Sequence, residues 1–383
     1  MRILHLTTVV RGGSGQALVQ LATAQRAEGH LPVVVTDRAR FGPENDPVHV
    51  SALALSGITV HAVDSSCSRE KRGPRRFATW IRPRLGAVTP FDVIHLHAER
   101  ASATAYALVA ERPLDAVPIV HTLHDARARP AASDPRSELD ALRRADRVVV
   151  ASEHAKRALT TRGLPAHLVS VIAYGVEPLV LRPRGDDPLL AEMRAWRQRG
   201  GEVLCMASAV SHAETERTLV DALATLVNRE SLLSVCVGGG DTTRLEAQAH
   251  RFGLAARLRV SRDGSAARAV VAAADYLLLR SPSDGPPLWL LEAWADLVPV
   301  LCSRTPELLE LSADGQAAVL FDPNDVADVA RAVTTLRRAT PASRRMLMER
   351  GRERYRERFT LRAMVDGYLG EYARLLAAKR AVA

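Results

Sequence analysis

Short apolar runs rich in β-branched residues recur along the chain, each followed by a longer segment in which Ala and Leu return at helical spacing. Such runs, bounded by polar or glycine turns, predict buried parallel strands, and the segments between them predict helices that cover both faces of the sheet. A first series places strands at Arg2 to Thr7, Leu31 to Thr36, Thr59 to Val63, Val93 to Leu96, Ile119 to Leu123, Arg147 to Ala151 and Val169 to Ile172. The first helix is expected over Gln16 to Glu28, with Leu18, Leu21 and Ala22 on one face and Gly29 as its stop. A Pro-, Arg- and Asp-rich stretch, Glu177 to Pro188, breaks the rhythm and reads as a linker. A second series follows at Glu202 to Ser208, Ser231 to Val237, Arg257 to Val260, Tyr276 to Leu279, Val298 to Cys302 and Ala318 to Phe321. After Asn324-Asp325 the pattern is helical to Ala383, with a charged middle and an apolar tail containing Met364, Tyr368, Leu369, Tyr372 and Leu375.

The pattern predicts an α/β protein of two doubly wound, Rossmann-like domains, residues 1–178 and 189–360, facing a central cleft. Composition agrees with this class. The 383 residues exceed what one hydrophobic core organises, while 47% hydrophobic and 25% charged residues exclude disordered and fibrous classes. No apolar run approaches the length of about eighteen residues needed to span a bilayer, and the N-terminus lacks a secretory signal pattern, so a cytoplasmic location is expected. Cys67, Cys205, Cys236 and Cys302 have neither disulfide-framework nor zinc-ligand spacing, and no metal is expected. The net charge of +9 comes from Arg rather than Lys and is not interleaved with aromatic residues, which make up 4% of the chain, so nucleic acid is not an expected partner. One local run, Arg69 to Arg84 with Phe77, Trp80 and Ile81, could touch an anionic membrane; a solvated Arg-rich surface is the commoner fate of such a run.

In open parallel sheets, ligands bind beyond the carboxyl ends of the strands, which directs attention to the loops there. Gly12-Gly13-Ser14-Gly15 could bring backbone amides to a phosphate at a helix N-terminus, or merely start the helix. A dinucleotide fingerprint fits poorly, because Leu18 stands at its third glycine. His95, His97, His121 and His124 follow the fourth and fifth strands, and Asp125 follows His124; imidazoles there can polarise a hydroxyl, although a single histidine is more often structural. Asp284 and Glu292 lie eight residues apart, one on a Gly/Pro loop and one inside a helix. Ionised carboxylates accept hydrogen bonds that the diols of a sugar or ribose donate, and a surface loop followed by a solvated helix Glu is the equal alternative.

Taken in order, these segments resemble the family 4 glycosyltransferases of the GT-B fold. The resemblance rests on Gly12-Gly13, Asp92-Val93-Ile94-His95-Leu96-His97, Val120-His121-Thr122-Leu123-His124-Asp125, Ala145 to Ser152 and Val171 to Glu177. Gly238-Gly239-Gly240, Ala274-Asp275-Tyr276, Asp284 to Glu292, Pro306-Glu307-Leu308 and Phe321 to Asp325 continue it through the second half. It implies a retaining transferase that moves a sugar from a nucleotide diphosphate sugar to a hydroxyl acceptor in a glycan, glycolipid or natural-product pathway; the sequence has no Asp-x-Asp cluster of the kind expected at a metal-dependent sugar-nucleotide site, so neither a divalent metal nor another cofactor is expected. It further implies that the final helix, 361–383, returns to the first domain. By position, His124 and Asp284 are the implied catalytic residues; Gly12, Gly13, Gly285, Leu288 and Glu292 bind the donor; His97 and Asp125 lie on the acceptor side.

Four departures stand out. Asp284 replaces the family's Glu, and Pro286-Pro287 replace residues whose amides face the donor. Ala209 and Glu214 stand where the family has an Arg and a Lys that clamp the diphosphate, leaving Arg217, one turn further along, or His212 as the substitute cation. Tyr174 stands where the family usually has Asn. The alternative function is therefore a catalytically degenerate protein of the same fold, acting as partner or scaffold for an active transferase.

Overall fold

A computed structural model describes residues 1–7, 9–37, 47–63, 91–98, 117–124, 139–140, 142–179, 187–207, 213–226, 229–238, 243–261, 264–280 and 287–382. The chain divides into two compact units, Met1–Gly175 with Leu361–Ala383, and Val176–Thr360.

The first unit holds strands Arg2–Thr7 (β1), Leu31–Asp37 (β2), Thr59–Val63 (β3), Val93–Ala98 (β4), Ile119–Leu123 (β5), Arg147–Val150 (β6) and Val169–Val171 (β7). They form one sheet in the order β3-β2-β1-β4-β5-β6-β7, parallel throughout. The order reverses between β1 and β4, where His5 stands opposite His95 and Thr7 opposite His97. Both faces are covered, so the strands are near-continuous apolar runs, with Ile3, Val34, Val93, Leu96, Val120, Val148 and Val149 fully buried.

Helix Gly12–Ala27 (α1) starts four residues before the position that periodicity suggests. Gly12 enters it at φ 57°, a left-handed conformation that glycine tolerates, so the glycines form the first turn itself rather than a loop ahead of it. Among the described residues, Pro47–Leu55 (α2) and Glu153–Thr161 (α3) also lie in this unit, the latter capped by Ser152, whose hydroxyl accepts from the Ala155 amide.

The second unit contains Glu202–Ala207 (β8), Leu232–Val237 (β9), Leu258–Ser261 (β10), Tyr276–Leu279 (β11), Val300–Ser303 (β12) and Val319–Phe321 (β13), parallel in the order β10-β9-β8-β11-β12-β13. The doubly wound pattern is thus repeated, with its own reversal between β8 and β11. Its helices are Pro188–Gln198 (α4), Ala213–Thr225 (α5), Thr243–Arg251 (α6), Gly264–Ala272 (α7), Leu288–Ala295 (α8), Pro306–Ser312 (α9), Val326–Arg338 (α10) and Pro341–Arg358 (α11). Asp187, Thr305, Asp325 and Thr340 cap α4, α9, α10 and α11, each with a Pro or an apolar residue starting the helix behind it.

The last helix, Leu361–Val382 (α12), belongs to the first unit. Met364, Val365, Tyr368, Tyr372 and Leu375 make its buried stripe. Polar contacts fix its register: Ser170 donates to Glu371 at 2.6 Å, Lys379 pairs with Asp146 at 2.8 Å and Arg362 with Glu28 at 2.9 Å. No described helix is long and apolar enough to cross a membrane.

Helices α8 and α11 approach closely because Gly351 lacks a side chain. A Cβ built there would lie 2.4 Å from Cδ1 of Trp294, a fully buried ring whose Nε1–H donates to the Ala317 carbonyl at 3.1 Å. Gly351→Ala must therefore displace the ring or part the helices, and we expect a loss of about 1 to 3 kcal/mol in unfolding free energy. Denaturant unfolding monitored by tryptophan fluorescence measures it, and an unchanged midpoint would contradict this packing.

Candidate functional site

At the β1/β4 reversal, strand periodicity gathers imidazoles on one face. His95 and His97 are two apart on β4, His5 is opposite His95, and Thr122 of β5 is opposite His97. His124, two residues beyond Thr122, continues this face, whereas His121 stands opposite Leu96 and faces the other way. The paired strand-end histidines therefore separate. His124 joins His97, their rings 5.7 Å apart and within 18° of parallel; His121 is buried on the far side.

The hydrogen bonds form a directed chain. His5 Nε2 lies 2.8 Å from Gln25 Oε1, and His5 Nδ1 lies 3.0 Å from His97 Nε2. A carbonyl oxygen only accepts, so with the amide in this orientation His5 carries its proton on Nε2 and accepts at Nδ1 from His97 Nε2–H. A neutral His97 then has a bare lone pair on Nδ1, a buried atom with no hydrogen-bond partner among the described residues. His95 bridges Thr122 Oγ1 at 2.7 Å and Tyr372 Oη at 2.6 Å, and Thr122 is 2.9 Å from Tyr368 Oη. The tail helix α12 is thereby tied to the strand ends by two buried phenols.

Burial keeps these imidazoles neutral. It lowers His5 and His124 to about 4 and His121 to about 3, and it holds His95 and His97 well below the usual histidine range, with neighbouring imidazoles adding to the shift for His95, His97 and His121. Nitrogens of His5, His95 and His97 lie within 4.8 Å of one another, a spacing that could hold a metal ion. A metal there would have to displace one of the two hydrogen bonds made by His5 and one of those made by His95.

His124 is the most outward of the group. Its Nδ1 lies 2.7 Å from Tyr174 Oη, and its buried Nε2 has no hydrogen-bond partner among the described residues. Gly12 and Gly13 open α1, so the amides they contribute belong to a helix N-terminus, which attracts anions.

In the second unit Glu292 lies on α8 and is 1% exposed. It is not a solvated helix residue. Arg268 of α7 sits beside it, Nε 3.7 Å from Oε1, and also reaches Asp296 at 3.8 Å and the Glu177 carbonyl. Asp296 in turn accepts from the Leu179 amide at 2.9 Å. Leu288 is the first residue of α8 with its side chain buried, so only its backbone belongs to the helix N-terminus. Glu214 and Arg217 lie on α5, and their side chains are outside the described residues. Asp125, Asp284, Gly285 and the Arg69 to Arg84 run are also outside them.

Four participants escape sequence reasoning: His5, Gln25, Arg268, and Tyr174 as a partner of His124. His5 had a signal in the sequence, since it occupies the central strand of an otherwise apolar run. Arg268 had none, because its pairing with Glu292 depends on how α7 packs on α8.

The neutral imidazoles make the first unit acid-sensitive. The unfolded chain takes up protons near pH 6.5 while the folded groups do not, so their stabilisation is present above 6.5 and is lost as pH falls towards about 4. Melting temperature should fall between pH 6.5 and 5, a window in which carboxylates barely titrate. A flat melting profile across it, at constant ionic strength, would contradict buried neutral histidines.

Residues 11–178 match the model of Glycosyltransferase Family 4, and residues 201–338 match that of Glycosyl transferases group 1. A D-inositol 3-phosphate glycosyltransferase from Salinispora tropica is 28% identical, over 98% of this chain and 85% of its own. One from Stackebrandtia nassauensis is 29% identical over 96% and 89%. Among solved structures, Anabaena Alr3699/HepE in complex with UDP and glucose superposes with a TM-score of 0.77 at 19% identity, covering 97% of this chain and 99% of that one. A glycosyltransferase from Rickettsia africae superposes with a TM-score of 0.76 at 17% identity and 98% of both chains. With matches to both halves of the fold and relatives spanning nearly the whole length, the chain belongs to the glycosyltransferases of family 4, group 1, with the GT-B fold.

Proposed function

We propose that the protein transfers a sugar, with retention, from a nucleotide diphosphate sugar to a hydroxyl acceptor and requires no divalent metal or other cofactor. The observation that carries this reading is Glu292: a carboxylate 1% exposed at the heart of α8, with a guanidinium 3.7 Å away. Burying a charge is costly, and a surface helix has no use for one. A ribose diol supplies the hydrogen-bond donors that make such an acceptor useful. The solved structure that carries UDP and glucose agrees with a nucleotide sugar donor.

In this reading the second unit holds the nucleotide through Glu292, the Leu288 backbone and Gly285, while Asp284 accepts from the sugar. The resemblance assigns Gly12, Gly13 and Arg217 to the donor diphosphate. His124, neutral because of burial, holds a sugar hydroxyl without removing its proton. His97 and Asp125 lie on the acceptor side. As the acceptor oxygen bonds to the anomeric carbon, the bond to the diphosphate oxygen breaks, and the acceptor's proton leaves with that oxygen.

Glu292→Gln keeps the shape and replaces an ionised acceptor with a neutral amide, so donor affinity should fall about tenfold. Calorimetry with a panel of nucleotides and nucleotide sugars measures it, and undiminished affinity in a folded variant would remove Glu292 from the donor site. If no member of the panel binds the native chain, the degenerate partner protein replaces the transferase.

Arg217→Ala should abolish most transfer, whereas Glu214→Lys should tighten donor binding by adding a cation at the vacant clamp position. No loss from the first and no gain from the second would place the diphosphate elsewhere. Transfer that stops when a chelator is added would overturn metal independence.

A further inference from the structure

Tyr174 occupies the segment after β7 and is buried. It is held from behind by the tail helix, because the adjacent Gly175 amide contacts Met364 Sδ of α12 at 3.3 Å. Its Oη is 2.7 Å from His124 Nδ1, with the two ring planes within 14° and the centroids 5.9 Å apart. Two proton arrangements satisfy that distance. In one, the phenol donates to Nδ1 and the imidazole proton sits on Nε2. In the other, Nδ1–H donates to the phenol and Nε2 is a bare lone pair. The first is favoured by the chemistry of the pair: a neutral imidazole nitrogen is a strong acceptor, whereas the phenol oxygen is a good donor and a poor acceptor because its lone pair is delocalised into the ring.

We infer that Tyr174 is a positioning residue that fixes His124 as its Nε2–H tautomer, so that the imidazole offers a hydrogen-bond donor to an oxygen of a bound sugar. This rests on the placement of His124 proposed above. It also gives a purpose to two buried atoms. His97 Nδ1, bare by the Gln25–His5–His97 chain, and His124 Nε2–H carry opposite hydrogen-bond character on neighbouring, nearly parallel rings. Neither ring is charged at neutral pH, so the pair suits a neutral hydroxyl rather than a phosphate or an ammonium group.

The test uses the full chain labelled with [15N]histidine, the His124 signals being assigned by their loss in His124→Gln. Long-range proton–nitrogen correlations distinguish the two tautomers directly and do not depend on activity. The native chain should show protonated Nε2 at pH 7.5, and Tyr174→Phe should give a mixture of tautomers. In transfer assays Tyr174→Phe should lower kcat about five- to tenfold, the worth of one neutral hydrogen bond, with little change in donor KM. Protonated Nδ1 in the native chain would overturn the inference without any variant needing to fold. Unmixed Nε2–H in Tyr174→Phe would overturn it as well, because something else would then fix the ring. If the native tautomer is Nε2–H and mixes in Tyr174→Phe while transfer is unaffected, the positioning holds, and what fails is the role of His124 in the proposed reaction.

Discussion

The hydrogen bond between Tyr372 and His95 is the constraint around which the first unit is organised. It joins a residue of the last helix to the central strand β4 across 277 positions of sequence. His95 passes the contact to Thr122 on β5 and thence to Tyr368. An imidazole buried among apolar strands is costly unless both nitrogens are satisfied, and here the tail helix satisfies one of them. The tail and the strand ends therefore need each other: without α12, His95 and Thr122 each lose a phenol partner, and without the imidazole the buried Tyr372 hydroxyl loses its contact with β4. The ion pairs along α12, to Asp146 and Glu28, are partly solvated and contribute less.

This arrangement prepares the site before any ligand arrives. The Gln25–His5–His97 chain sets the proton positions of His5 and His97, and burial keeps the imidazoles around the β1/β4 reversal neutral. Neutral donors and acceptors held in place by packing need little reorganisation, and electrostatic preorganisation of this kind is a large share of enzymatic rate enhancement. The second unit uses the opposite device. Glu292 retains its place in the interior because Arg268 lies alongside, and Arg268 also draws Asp296 and the Glu177 backbone towards the same point. Close helix packing at Gly351 and Trp294 keeps the helix that carries Glu292 in place.

The chain's departures from its family fall in two places with different consequences. Pro286-Pro287 and Glu214 fall in segments that the resemblance assigns to the donor. Tyrosine at 174 alters the first unit, and there the structure supplies a compensating contact, since the phenol reaches Nδ1 of His124.

The sequence by itself determined the two parallel sheets. Strand runs are dense in β-branched residues and both faces are buried, so the strands at Arg2–Thr7, Thr59–Val63, Ile119–Leu123 and Tyr276–Leu279 are bounded as the pattern predicts. Helix starts were less legible: α1 begins at Gly12 because a glycine at positive φ can enter a helix that apolar spacing does not signal until Gln16. The histidines on β4 and β5 were visible as residues, but not their division into faces, because alternation assigns His121 and His124 to opposite sides only once the register with β4 is set. Tertiary structure alone decided the partners. Tyr372 finds His95, Arg268 finds Glu292 and Tyr174 finds His124 over separations that no local pattern encodes, because hydrogen bonds and ion pairs depend on distances of about 3 to 4 Å that only packing of whole elements sets.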